Sequence, residues 1–453
     1  MVKKIIIVIN ILLLVACSCV KRPTNITRNI KEKVIADLNT DFFSESIVVS
    51  PDGRHIAYIE DVYSGLRVVV NDSPKERYDD IGIGTPVFSP TSKFVAYFVY
   101  YKGYSGGIFG LFAEDSYWKV VVDSDEHDYS RSGFVDASLI ISPDGAHVAY
   151  GAYHEWGSDM VYDYVTLPGM IPSELDSVDS LYVYEVCPPF IFSPDCKTFV
   201  YVGEELSGER FIVKDQFAGK SYDYVYPNSL VFSPNGEKLA YIVVDSGLEK
   251  VVVNGIELAG YTSISESSIR FSPDSQHLAY FAYDGNNWLV IKDGEESMPY
   301  DDLGQIIFSP DSKHLAYTAK DGNKWIIIKD EKVISQHSAI LENTLTFSPD
   351  SRYLVYAVEA DSGIVIYENS KPTAYHQALV TPPIFSSDGQ FLVYTVEKNK
   401  TQSVVINGNI GKQYPAIISH NGGRVAFDNN NSIHYLVVKD DNNVYLVEEQ
   451  IFY

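Results

Sequence analysis

Short apolar runs divided by polar turns follow one another along almost the whole chain. Gln305-Ile306-Ile307-Phe308 is representative: too short for a helix and rich in β-formers, it reads as a strand. A Ser-Pro-Asp-Gly or Ser-Pro-Asp-Ser turn then follows, in which proline presets φ at the first central position while serine and aspartate cap free backbone amides. Next comes a run such as Leu278-Ala279-Tyr280, with leucine and tyrosine on one face and the small alanine on the other. Both faces are apolar, as a sheet sandwiched between neighbouring sheets requires.

A third strand follows in nearly every copy, as in Val68-Val69-Val70, Val251-Val252-Val253 and Trp325-Ile326-Ile327-Ile328, with weaker copies at Ile364-Val365-Ile366, Val404-Val405-Ile406 and Leu436-Val437-Val438. A fourth is marked by tyrosine near acids (Tyr78-Asp79-Asp80, Tyr222-Asp223, Tyr300-Asp301-Asp302), the pattern expected of an outer, wetter edge. Trp118, Trp288 and Trp325 start third strands and are expected to pack. His55, His147, His277 and His314 share one position beside the turn and are expected at the surface rather than on a metal.

The unit is repeated. Phe271-Ser272-Pro273-Asp274-Ser275-Gln276-His277-Leu278-Ala279-Tyr280 recurs almost letter for letter from Phe308 to Tyr317, and looser copies start at Ser50, Ser89, Ser142, Ser193, Ser233, Ser348, Ser386 and Ser419. Successive serines lie 39, 53, 51, 40, 39, 37, 39, 38 and 33 residues apart, the period of one propeller blade. The pattern Phe-Ser-Pro-Asp-Gly-x-x-Leu-Ala-Tyr resembles the TolB-type, WD40-like bacterial propeller repeat, from about residue 32 to the C-terminus. That resemblance implies an all-β propeller of four-stranded blades with about ten repeats in one large ring, two smaller rings being the alternative. The α/β domain of TolB has no counterpart here, and ten repeats exceed the usual four to eight. Glu32-Lys33-Val34-Ile35 matches Glu331-Lys332-Val333-Ile334, so residues 31–38 read as a spare outer strand able to latch the last blade, with Val444-Tyr445-Leu446-Val447 competing for that slot.

The first residues change the picture. A basic start, an apolar run from Ile5 to Ala16 too short to span a bilayer, and Cys17 read as a secretory signal over residues 1–16. Leu14-Val15-Ala16-Cys17 resembles the bacterial lipobox, which implies a lipidated Cys17, a tether over residues 17–31, and a propeller over residues 32–453. Ser18 resembles outer-membrane sorting, so the expected location is the periplasmic or outer-membrane side of an envelope. The formal charge of −25 becomes −27 without residues 1–16, which carry Lys3 and Lys4 and no acid. Such a surface repels nucleic acid and anionic headgroups, leaving the anchor as the membrane contact. Cys187 and Cys196 flank an extended segment that should hold them too far apart to bridge.

Repeats two and three are longer than the rest. Their extra length is expected between the second and third strands, from about Tyr100 to Tyr117 and from about Tyr153 to Ser180, on the face where propeller blades are joined. These inserts are aromatic, and the candidate binding residues are Tyr100, Tyr101, Tyr104, Phe109, Phe112, Tyr117, Tyr153, His154, Trp156, Asp159, Tyr162 and Tyr164. A satellite core covering the ring is the competing reading. Gly103-Tyr104-Ser105-Gly106-Gly107 has the Gly-x-Ser-x-Gly form without the strand-to-helix setting that its chemistry needs. Asp123-Ser124-Asp125-Glu126-His127-Asp128 lacks the glycine and closing glutamate of an EF-hand loop. The expected function is a monomeric, non-catalytic, cofactor-free scaffold for an envelope protein or glycan. A hydrolase or lyase site at the central channel and a structural spacer are the alternatives.

Overall fold

The computed structural model describes residues 22–38, 42–103, 116–130, 133–154, 157–162, 165–167, 185–215, 217–361 and 363–453. These residues form ten antiparallel sheets, nine of them each from one four-stranded repeat and the tenth from the last repeat with the N-terminal strand. In the first, Val48–Val49 is the inner strand, Ile56–Val62 the second, Gly65–Val70 the third and Ser73–Tyr78 the outer. Ten apolar clusters fill the gaps between consecutive sheets, one per gap. The tenth packs Ile418, Leu436 and Val444 of the last sheet against Val49, Ile56 and Tyr58 of the first, so the ring closes on itself. Burial on both faces of every sheet is what the doubly apolar second strands require.

The turn serines organise the inner rim. Ser50, Ser89, Ser142, Ser193, Ser233, Ser272, Ser309, Ser348 and Ser386 are completely buried. Each accepts from an amide about five residues on, as when His277 N–H donates to Ser272 Oγ at 2.9 Å, and most donate to the turn aspartate or asparagine. Several copies place serine rather than glycine at the left-handed turn position, among them Ser275, Ser312 and Ser351, at φ of 62–63°. The gain is an inter-blade bond: the amides of Asn235, Asp274 and Asp311 donate to the hydroxyls of Ser275, Ser312 and Ser351 of the following blade at 3.0–3.1 Å.

Four expectations need correcting in the last and third blades. In blade ten the inner row is Ala416–Ile417 plus Ala426–Asn429, both paired with Ser432–Val438. Asp428-Asn429-Asn430-Asn431, not Ser419, therefore makes the turn, and Leu436-Val437-Val438 belongs to the second strand. Val444–Val447 lies in the third strand, Asn443–Phe452. In blade three, Val148–His154 pairs with Gly157–Tyr162 across a tight hairpin, so no long insert separates the second and third strands there. The extra length falls instead between Val165–Leu167 and Glu185–Phe192. Gly-Ser-Asp-Met-Val-Tyr lacks the β-branched run that marks the other third strands, which hid it in the sequence.

The outer slot of blade ten is taken by Thr27–Asp37, antiparallel to Asn443–Phe452 from Thr27 opposite Phe452 to Asp37 opposite Asn443. Elsewhere a tyrosine at the end of one outer strand is hydrogen-bonded to a glutamate on the next, as Tyr261 is to Glu296 at 3.0 Å. Tyr78 with Glu126 and Tyr222 with Glu257 repeat it. These tyrosines are buried, so the expected wet edge is dry where they sit. The N-terminal strand supplies the same part: Tyr414 Oη donates to Glu32 at 2.7 Å, and Lys412 and Lys439 close on the same carboxylate at 2.7 and 2.8 Å. Partial burial pushes the Glu32 pKa up, but the three hydrogen bonds outweigh it and hold the group at about 2, against an ordinary 4.5. A depressed carboxylate stabilises the folded chain fully above the ordinary value, and that contribution fades as pH falls from about 4.5 toward 2. Glu32→Gln should therefore lower stability at pH 7 and flatten its decline between pH 5 and 2, read from urea midpoints across that range.

Candidate interaction face

Loops joining second to third strands open on the same face as the crossings between blades. Acids at the crossings fix them. Asp79 Oδ2 accepts from Lys102 N–H at 2.7 Å, Asp223 from Ser246 at 2.9 Å and Asp301 from Gly322 at 2.7 Å. The acids that follow the outer-strand tyrosines are thus loop staples rather than a solvated edge.

This face is lopsided. In blades one, three, four and five its loops carry Tyr63, Tyr153, Leu206 and Leu248, which are 101%, 42%, 78% and 44% exposed. Phe43, in the crossing into blade one, is also exposed. The corresponding loops of blades six to ten carry Asp284-Gly285-Asn286-Asn287, Gly322-Asn323, Asp361, Lys398-Asn399-Lys400 and Asp440-Asp441-Asn442. Among the described residues they expose no large apolar side chain. Exposed apolar groups gathered on one arc mark contact surfaces more reliably than scattered ones.

The aromatic candidates divide by strand alternation. Tyr100 packs at a tilt against Trp118, ring centroids 5.0 Å apart, and Trp118 meets Phe134 of blade three at 6.2 Å. Tyr101 and Tyr117 point the other way, 5.0 Å apart, with Tyr78 of blade one at 5.7 Å from Tyr101. Lys119 lies over both rings and pairs with Glu126 at 3.0 Å, and Tyr101 Oη donates to Glu126 at 2.6 Å. Desolvation, with the nearby carboxylate adding to it, pushes the Tyr101 phenol well above its ordinary value. Tyr100, Tyr101 and Tyr117 are therefore half-buried between blades, and Tyr153 is the described candidate that is open to solvent. His154, Asp159 and Tyr162 sit in the paired strands of blade three, opposite Gly157, Ala152 and Ala149. Tyr104, Phe109, Phe112, Trp156, Tyr164 and Cys17, with Ser105, lie outside the described residues.

Tyr63, Leu206 and Leu248 escaped the sequence reading, although each stands beside a Gly/Ser turn in Val62-Tyr63-Ser64-Gly65, Leu206-Ser207-Gly208 and Ser246-Gly247-Leu248. Their signal was a lone apolar residue inside a polar turn. Cys187 and Cys196 are unbridged; burial pushes the Cys187 thiol up to about 11, which keeps it protonated and unreactive. His277 and His314 are partly exposed and paired with Asp293 and Asp330 at 2.7 and 2.6 Å, as expected of turn residues. A cleft of about 620 Å³ opens between the outer strands of blades eight and nine beside Tyr375, His376 and Ile410, and reaches the loop face at Ala360, Gly363 and Lys398.

The geometry defines a class: a closed β-propeller of ten four-stranded blades, latched by its N-terminal strand. No protein-family model and no curated protein matches the sequence. Among solved structures the chain is similar to a eukaryotic initiation factor (15% identity, 76% of this chain and 89% of that one, TM-score 0.44). It is also similar to TolB from Acinetobacter baumannii (13%, 67% and 80%, TM-score 0.28) and to the dihydro-heme d1 dehydrogenase NirN (14%, 84% and 77%, TM-score 0.34).

Proposed function

We propose that the protein is an exported propeller, tethered to an envelope membrane through Cys17, that binds a protein partner on the loop face of blades one to five without catalysing a reaction. The carrying observation is the lopsided face: Tyr63, Leu206 and their neighbours leave apolar area in water that the matching loops of blades six to ten do not. A purely structural spacer gains nothing from that asymmetry. A partner gains from it, because buried tyrosine and leucine anchors dominate binding energy while the polar loops serve as rim.

The test is capture from envelope extracts with the purified mature chain, followed by titration of whatever protein is retained. Tyr63→Ser with Leu206→Ser should weaken binding by about tenfold or more, the effect of removing central apolar anchors. Tyr375→Ser with Ile410→Ser, on the perimeter, should leave it unchanged. Equal binding by both double variants would remove the loop face from consideration, and retention of polysaccharide in place of protein would replace the partner class.

A further inference from the structure

We propose that the slot holding Arg22 fixes the orientation of the ring, so that the Ser-Pro-Asp turn face lies against the membrane and the loop face points away from it. The proposal rests on the reading of Cys17 as the lipid attachment site. Its geometry rests on where the N-terminal segment leaves the ring.

Before entering the outer slot of blade ten, the segment crosses the turn face of blades nine and eight. The side-chain amides of Asn407 and Asn409, at the third-to-outer turn of blade nine, donate to the carbonyls of Pro23 and Thr24 at 3.0 and 2.9 Å. Arg22 is largely buried. Its guanidinium pairs with Glu368 of blade eight at 2.6 Å, donates to the carbonyl of Gly389 in the turn of blade nine at 3.3 Å, and lies 5.0 and 4.8 Å from the rings of Tyr353 and Phe385.

The repeat shows that this slot is built for the segment. Glu368 is paired opposite Val355, the place that Lys214, Lys292 and Lys329 hold in blades four, six and seven. Where lysine is present it can fill the slot itself: Lys329 Nζ lies 5.3 Å over Phe347, the counterpart of Phe385 one blade earlier. Blade eight reverses the charge at that position, and the missing cation comes from Arg22.

From Arg22 to Cys17 the chain can reach at most about 18 Å, at roughly 3.5 Å per residue. A bilayer holding a lipid on Cys17 is therefore close to the turn face. The loops of blades one, three, four and five that expose Tyr63, Tyr153, Leu206 and Leu248 are then on the outward surface, and their partner approaches from the aqueous side.

The experiment joins a hexahistidine to Arg22 in place of residues 1–21, binds the chain to vesicles with nickel-chelating headgroups, and removes Cys187 and Cys196 by serine substitution. A dye is placed on a single cysteine at Gln276→Cys (turn face) or Leu206→Cys (loop face), with an acceptor dye in the headgroup layer. Transfer should be at least about twofold stronger from the turn face, since strands of six or seven residues with their turns separate the faces by about 30 Å. Glu368→Lys, which refills the slot in the manner of blade seven and expels Arg22, should narrow the difference while leaving thermal unfolding unchanged, since Asn407 and Asn409 still hold Pro23 and Thr24 to the turn face. Equal or reversed transfer in the parent chain overturns the orientation. Mass spectrometry of the membrane-extracted protein decides separately whether Cys17 carries lipid, so the two readings fail in different measurements.

Discussion

Deleting residues 24–40 is expected to lower the thermal midpoint by about 6–10 °C and to make the protein self-associate. The deletion removes Arg28 and Glu32, whose partners Glu449, Lys412, Lys439 and Tyr414 stay behind. Stranding the fully buried Glu449 costs about 3–5 kcal/mol, and loss of the pairing of Thr27–Asp37 with Asn443–Phe452 adds to it. Unfolding entropy of roughly 2.1 cal/mol/K per residue gives a chain of this size about 0.9 kcal/mol/K, so each kcal/mol moves the midpoint by about 1 °C. The bare edge of Asn443–Phe452 adds a second effect, because an unpaired apolar strand recruits another copy. Calorimetry and light scattering read both. An unchanged midpoint would mean that the ring closes without its latch.

Arg28→Ala is expected to cost about 3–5 kcal/mol on its own, since a single missing partner leaves a buried carboxylate unpaired. Glu449 is fully buried, accepts Tyr435 Oη at 2.5 Å, and has Arg28 at 3.3 Å as its cation. Arg28 also donates to the carbonyls of Val404 and Asn409 in blade nine at 3.0 and 2.5 Å, tying the last gap in the ring. Gly411 makes the approach possible, because a Cβ there would collide with the guanidinium. Adding Glu449→Gln to Arg28→Ala should recover part of the loss by removing the stranded charge. If the double variant is no more stable than Arg28→Ala, the pairing is not what holds the strand.

Much of the architecture was legible because each repeat states its strands and turn in short-range chemistry. The nine buried serines were marked by Ser-Pro-Asp or a close relative, and the doubly apolar second strands announced sheets stacked on both faces. The latch was visible as a match of residues 32–35 to residues 331–334, although the structure sets the register two residues along. Glu32 lies opposite Val447 as Val333 lies opposite Ile328. A slip of two residues keeps each side chain on its face, but it moves Glu32 out of the turn position that Glu331 holds and into the paired strand, where Lys412 and Lys439 reach it.

The candidate site was less legible. Aromatic density drew attention to Tyr100, Tyr101 and Tyr117, yet strand pairing turns those rings into the gaps between blades, where Trp118, Tyr78 and Phe134 receive them. Composition cannot separate a ring that packs from one that waits for a partner, because both are aromatic and both lie near a loop.

By itself the sequence determined the class of secondary structure, the period of the blades and the segment that latches them, since all three follow from local turn chemistry and apolar spacing. Tertiary structure alone decided that ten sheets close into one ring, that Arg22 and Glu32 meet partners more than three hundred residues away, and which apolar residues are left on one arc of one face. Those outcomes depend on which residues the closed circle brings together, and no stretch of chain short enough to read as a motif contains them.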